Sequence, residues 1–139
     1  MSTSSLTREG FHLGFAQIVV GIAGAVQLLS GAALLFAPRW FYATIGTFPP
    51  FNRHYEGDLG SFLLPLGIGL LVAARDPFKH LLLIRIAVIA NLLHTLNHMY
   101  DAVLIRAPLG YWLSDSLPLL VMVVLLLLVE RRGAAQPAD

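Results

Sequence analysis

The sequence predicts an all-α protein: an integral membrane four-helix bundle, antiparallel, with both termini on the cytoplasmic side. Composition is the first ground for this. Of 139 residues, 57% are hydrophobic and only 12% are charged, about half the charged share of a water-soluble domain. The second is segmentation: the apolar residues gather in four runs, each close to the roughly 20 residues that span a bilayer. The third is the mean hydropathy of +0.74, more apolar surface than a soluble domain of this length can hide.

These numbers also exclude whole classes. A net charge of +1 and no basic run leave nothing for nucleic acid to bind. The chain has no cysteine, so disulfides, thiolate ligands and cysteine nucleophiles are ruled out. Serine-nucleophile, phosphate-loop and dinucleotide motifs are absent, and no reaction can be assigned. One transmembrane domain is expected, with spans at about 12–37, 56–74, 79–101 and 112–130 and polar tails at 1–10 and 131–139. The first apolar run is long and lacks a clear cleavage pattern, which reads as a retained helix and not a signal peptide.

In chain order, the first span ends at Pro38-Arg39 and carries Gly14, Gly21, Gly24 and Gly31, small residues that let membrane helices approach closely. Gln17, Gln27 and Ser30 are its polar interior groups, expected to make hydrogen bonds between helices. Trp40-Phe41-Tyr42 is suited to the headgroup level. Pro50 suits the first position of the second helix, where a missing N–H costs nothing. That helix opens with Asn52, Arg53, His54, Glu56 and Asp58. His54, Asp58, Ser61 and Pro65 then fall on one face, and Gly57, Gly60, Gly67 and Gly69 allow close packing. Arg75-Asp76-Pro77-Phe78-Lys79 is a charged turn. The third helix, about 78–103, ends in a second polar face, with His94, Asn97, His98 and Asp101 at i, i+3, i+4 and i+7. Tyr111-Trp112 forms another interfacial pair. Ser114 or Asp115 caps the fourth helix, with Pro118 in its first turn, and the tail after Glu130-Arg131-Arg132 is expected to be disordered.

Basic residues set the orientation. Arg8, Arg75, Lys79, Arg131 and Arg132 share one side, against Arg39, Arg53 and Arg106 on the other. The termini are therefore expected in the cytoplasm, in the inner membrane of a prokaryote. In that arrangement His54, Glu56 and Asp58 lie at the level of His98 and Asp101, near the outer face. His94 is a turn deeper, and Tyr55, Tyr100 and Asp115 are at the same end.

Three chemistries fit this cluster. His94 and His98, with His54 and Asp58 on a facing helix, make a mixed N/O set suited to a transition metal such as Zn, Fe or Cu. Glu56 and Asp101 would support it, with Asn97 or Asp101 fixing the imidazole tautomers. The same residues could form a structural His–Asp network, or a proton or quinone site. Ionisable groups inside a membrane are a functional hypothesis by default. The rival is an accessory or scaffold subunit of a larger membrane complex, its partner another membrane protein or further copies of itself; a transporter or channel comes third, since four short helices would need to oligomerise to enclose a pathway.

Phe51-Asn52-Arg53-His54-Tyr55-Glu56-Gly57-Asp58-Leu59-Gly60, together with His94, His98 and Asp101, resembles the DoxX-like and related small four-helix bacterial membrane proteins. Many of these have an aromatic-Asn-x-His-x-x-x-Asp-x-Gly start to the second helix and a His-x-x-x-His end to the third. The resemblance runs over roughly residues 15–130. It implies the four-span architecture and, from the few members linked to sulfur oxidation, a quinone-linked partner. A third histidine is common in the family where this chain has Asp101.

Overall fold

The computed structural model describes residues 3–135, with side chains described from Gly14 onward. It is all-helical, and the described residues contain no strand. The helices are α1 (Thr3–Phe36), α2 (Pro38–Thr44), α3 (Arg53–Ala73), α4 (Leu81–Leu104), the single turn α5 (Leu109–Tyr111) and α6 (Leu117–Ala134). A 3₁₀ turn, Pro77–His80, leads into α4, and a π-helical turn, Trp112–Ser116, joins α5 to α6. Four segments are long and apolar enough to cross a membrane: Gly14–Phe36, Arg53–Ala73, Pro77–Leu104 and Leu109–Ala134. The chain is thus a small multi-pass membrane protein. Helix α1 begins at Thr3, inside the stretch expected as a polar tail, and α6 continues through Arg131 and Arg132 to Ala134. The last four residues of the expected disordered tail lie outside the described residues.

The spans form two pairs. Helix α1 packs mainly on α3 and α4 mainly on α6, with sparser contact between the pairs. The first pair is held by glycine. A Cβ on Gly24 would lie 2.8 Å from Leu71 N and 3.1 Å from Gly67 O. One on Gly31 would lie 2.5 Å from Leu64 N, and one on Gly60 2.9 Å from Gly31 O. A Cβ on Gly67 would collide with the backbone of Leu28. Two glycines seven apart on each helix therefore bring the backbones into direct contact, where dispersion between packed atoms supplies the attraction. Gly14 and Gly21 belong to the same sequence stripe but take no part: nothing lies within 4 Å of a Cβ at Gly14, and at Gly21 only Ala74 Cβ at 3.7 Å.

The close-packed core sits toward one end of the bundle. It joins Val20 and Ala23 of α1, Leu70 and Ala73 of α3, Ile84 and Ala87 of α4, and Leu126 and Val129 of α6. At the same end Arg85 Nε donates to Glu130 Oε1 at 2.9 Å, and Gln17 Nε2 donates to the carbonyl of Arg75 at 3.1 Å. The latter ties α1 to the turn after α3, where Gln17 was expected to bond to another helix.

Two element boundaries differ from expectation. Helix α3 starts at Arg53, not Pro50, because the Asn52 side chain caps it, accepting from His54 N at 3.0 Å and Tyr55 N at 3.4 Å. Pro50 lies in the preceding bend, across a cis Pro49–Pro50 bond. Neither Ser114 nor Asp115 caps the fourth span, since the chain is already helical from Leu109 and their backbone amides lie within the helix. Ser114 Oγ instead donates to the Gly110 carbonyl at 3.0 Å.

Candidate functional site

Beyond the core, toward the other end, the two helix pairs part and leave a cavity of about 280 Å³. All four spans line it. Val26, Gln27 and Ser30 come from α1, Leu59 to Leu66 from α3, Ala90, Asn91 and His94 from α4, and Leu119 from α6. Its wall is largely apolar, and Phe62, 76% exposed, stands at its lipid-facing side.

The polar groups on that wall are the informative ones. Asn91 is satisfied within its own helix, its Nδ2 donating to the Ala87 carbonyl at 2.8 Å. Thr95, one turn on, likewise donates to Asn91 O at 2.7 Å. Gln27 differs: it is only 7% exposed, and its Oε1 is buried with no hydrogen-bond partner. Ser30 and His94 also make no hydrogen bond to any described residue. Three polar side chains thus face one apolar cavity unpaired. Of the three only Gln27 is buried; a buried polar group without a partner costs about 1–3 kcal/mol, and water to satisfy it is scarce at this depth. Gln27 and Ser30 were expected to bond to neighbouring helices. They instead line the cavity because the glycine contact that draws α1 against α3 leaves this face of α1 turned toward the gap between pairs.

From His94 a polar series leads toward the end of the bundle. The His94 and His98 rings lie 4.6 Å apart between centroids, one helical turn from each other. His98 Nδ1 is 2.6 Å from Asp115 Oδ2, and both side chains are roughly a quarter exposed. Asp115 reaches His98 because of the π turn, in which Leu117 N–H bonds back five residues to Trp112 O. The cause is local. Pro118 has no N–H to give to the Ser114 carbonyl, and its ring crowds that carbonyl, so the helix widens just ahead of it.

The expected four-ligand set is not assembled. His54 Nε2 pairs with Asp58 Oδ2 at 3.4 Å, but both side chains are largely exposed. This pair stays apart from His94 and His98, and among the described residues no three His, Asp or Glu side chains converge as metal ligands. Glu56, expected in support, makes no ion pair or hydrogen bond through its carboxylate with any described residue. Asp101 is taken by its own helix, accepting from Asn97 Nδ2 at 3.2 Å. The polar stripe of the third span therefore divides. His94 and His98 turn toward the cavity and Asp115, while Asn97 and Asp101 pair along the outside.

The helix facing His98 differs from the expected one for a physical reason. Spacing along α4 locates a face but does not say which neighbour covers it, and the neighbour at this end is the π turn before α6. Pro118, inside an apolar span, was the sequence signal for that turn. Compared with family models, with curated proteins and with solved structures, the chain matches none.

Proposed function

We propose that this membrane protein binds a lipophilic small molecule with a carbonyl or hydroxyl headgroup, of the quinone class, in the cavity between its helix pairs. One observation carries the reading: Gln27, buried and with no partner for its Oε1, lines an apolar, membrane-level cavity beside part-buried Ser30 and His94. Such a cavity, with a few convergent polar groups on an apolar wall, is the usual form of a small-molecule site. Its 280 Å³ suits a single ring, and a tail would leave past Phe62 into lipid. The Gln27 amide and the Ser30 hydroxyl can each donate to a carbonyl or accept from a hydroxyl. His94 can hydrogen-bond to the same headgroup and, as an imidazole, can exchange a proton with it. His98 and Asp115 continue the series toward the surface. A redox partner that takes up or releases protons with its electrons would use such a series.

The finer placement belongs to the same proposal: the inner membrane of a bacterium, helices antiparallel, both termini in the cytoplasm, His98 and Asp115 near the outer face. So does kinship with the DoxX-like proteins. The basic-residue count and the Phe51–Gly60 and His94–Asp101 stretches support these points.

The test is binding to the full chain in phosphatidylcholine nanodiscs, with a short-tailed benzoquinone or naphthoquinone as probe and calorimetry as readout. One molecule per chain is expected, and Gln27→Leu with His94→Leu should weaken it about tenfold or more. That figure is the loss of two hydrogen bonds at about 0.5–1.5 kcal/mol each. Saturable binding that both substitutions leave unchanged would place the quinone elsewhere. No binding, together with tight co-purification of a second protein, would favour the accessory subunit.

A further inference from the structure

A second cavity lies where α1, α2 and α3 meet, and it shares no lining residue with the first. It measures about 360 Å³ and is lined by Phe36, Arg39, Trp40, Phe51 and Arg53 among others. From these residues we infer that it holds the phosphate headgroup of an anionic phospholipid, clamped by Arg39 and Arg53.

The charges come first. The four ion pairs among the described residues involve neither Arg39 nor Arg53. Two arginines therefore line one cavity with no carboxylate of a described residue within 4.0 Å. Both side chains are exposed, and each guanidinium lies beside a neighbour. The Arg39 guanidinium lies over the Phe51 ring, 5.3 Å from its centroid, a cation–π contact that keeps its N–H edges free. The Arg53 guanidinium folds back over Gly57, where a Cβ would lie 2.7 Å from Nη1, so the glycine makes room for it. A planar fork of N–H donors matches two phosphate oxygens at once, which an ammonium group does not.

Depth and shape select a lipid over a soluble anion. The cavity sits at the end of the first apolar span, and Trp40, 55% exposed, is the kind of side chain that settles at headgroup level. Phe36 forms part of the same wall and is 81% exposed, an apolar track along which an acyl chain would run. The ligand that satisfies both halves has a phosphodiester with net negative charge and a hydrocarbon tail. A zwitterionic lipid carries the phosphate but brings its own cation to the arginines.

The experiment uses the full chain in nanodiscs made from phosphatidylcholine with one-fifth phosphatidylglycerol, read by native mass spectrometry as lipids retained per chain. Wild type should retain phosphatidylglycerol over phosphatidylcholine beyond the input ratio, by about fivefold per arginine engaged. Arg39→Gln with Arg53→Gln should bring retention back to the input ratio. Arg131→Gln with Arg132→Gln, on the last turn of α6, should not. Retention at the input ratio by wild type overturns the proposal, and so does enrichment that survives loss of both arginines. If the double variant does not fold, Arg39→Gln and Arg53→Gln made singly decide the matter: each should cut the enrichment about fivefold, and enrichment unchanged in both overturns the proposal. In a parallel arm, glycerol 3-phosphate in water should bind far more weakly than the lipid. Equal affinity would overturn the lipid and leave a soluble phosphate ester as the ligand.

Discussion

Substituting alanine for Gly31 tests the contact on which the rest of the molecule depends. The new Cβ would sit 2.5 Å from Leu64 N and 2.8 Å from Leu64 Cα. Both are backbone atoms of a continuous helix and cannot rotate aside. Ordinary carbon contacts begin near 3.4 Å, so α1 and α3 must part by roughly 0.5–1 Å, a gap that forfeits a quarter to a half of each pairwise attraction along the seam. Overpacking of this kind costs about 1–3 kcal/mol. Against it stands the gain of about 1 kcal/mol from replacing glycine within a helix. The control removes that second effect: Gly14→Ala, in the same helix with nothing within 4 Å, gains the propensity and meets no clash. Reversible unfolding of both variants in mixed micelles, followed by circular dichroism, should place Gly31→Ala about 1–3 kcal/mol below Gly14→Ala. A difference under about 0.5 kcal/mol would refute backbone contact as the basis of the pair. Gly67→Ala meets the same seam from the other side, at Leu28. Helices already forced apart pay less for the second methyl, so the double variant should lose less than the sum of the singles.

The histidine pairs should respond unequally. Asp115→Asn removes a carboxylate 2.6 Å from a part-buried His98 and should lower stability by about 1.5–3 kcal/mol. Asp58→Asn disturbs a 3.4 Å pair on an exposed surface and should stay within about 0.5 kcal/mol. Equal effects in detergent unfolding would mean that the two pairs share one environment. Arg85→Gln strips the partner from Glu130, whose side chain is only 13% exposed. It should cost more than Arg85→Gln with Glu130→Gln together, because the double change leaves no unpaired charge; a double variant less stable than the Arg85 single would contradict this.

Architecture was legible from the sequence because it rests on composition and run length, which local residues carry by themselves. The four spans fall close to where the apolar runs lie. Half of the glycine stripe was legible too, since Gly24 and Gly31 carry the seam while Gly14 and Gly21 do not. A small residue permits approach, but the tilt of two helices decides where the approach happens. The site was harder to read. His94 and His98 were found from their spacing, yet their partner came from a helix segment that 3.6-residue periodicity describes wrongly. One π turn rotates the residues before it relative to those after it, and Asp115 lies inside that turn. Gln27 and Ser30 were seen and assigned to packing. Nothing in a local pattern distinguishes a polar residue facing a neighbour from one facing a gap.

The division into two pairs also bears on how such a chain comes to exist. Spans that touch most are neighbours in sequence, so each half can form as soon as its second helix is made, with little loop entropy to overcome. The cavity belongs to neither half. It needs both, since the glycine-sealed pair and the leucine- and valine-rich one each supply part of its wall, Gln27 from one and His94 from the other. Residues 1–75 and 76–139, made as separate chains, should form the two pairs and meet again, which co-purification of the two would check. A molecule that satisfies Gln27 and His94 would draw the halves together, so occupancy of the site and survival of the assembled chain become one equilibrium.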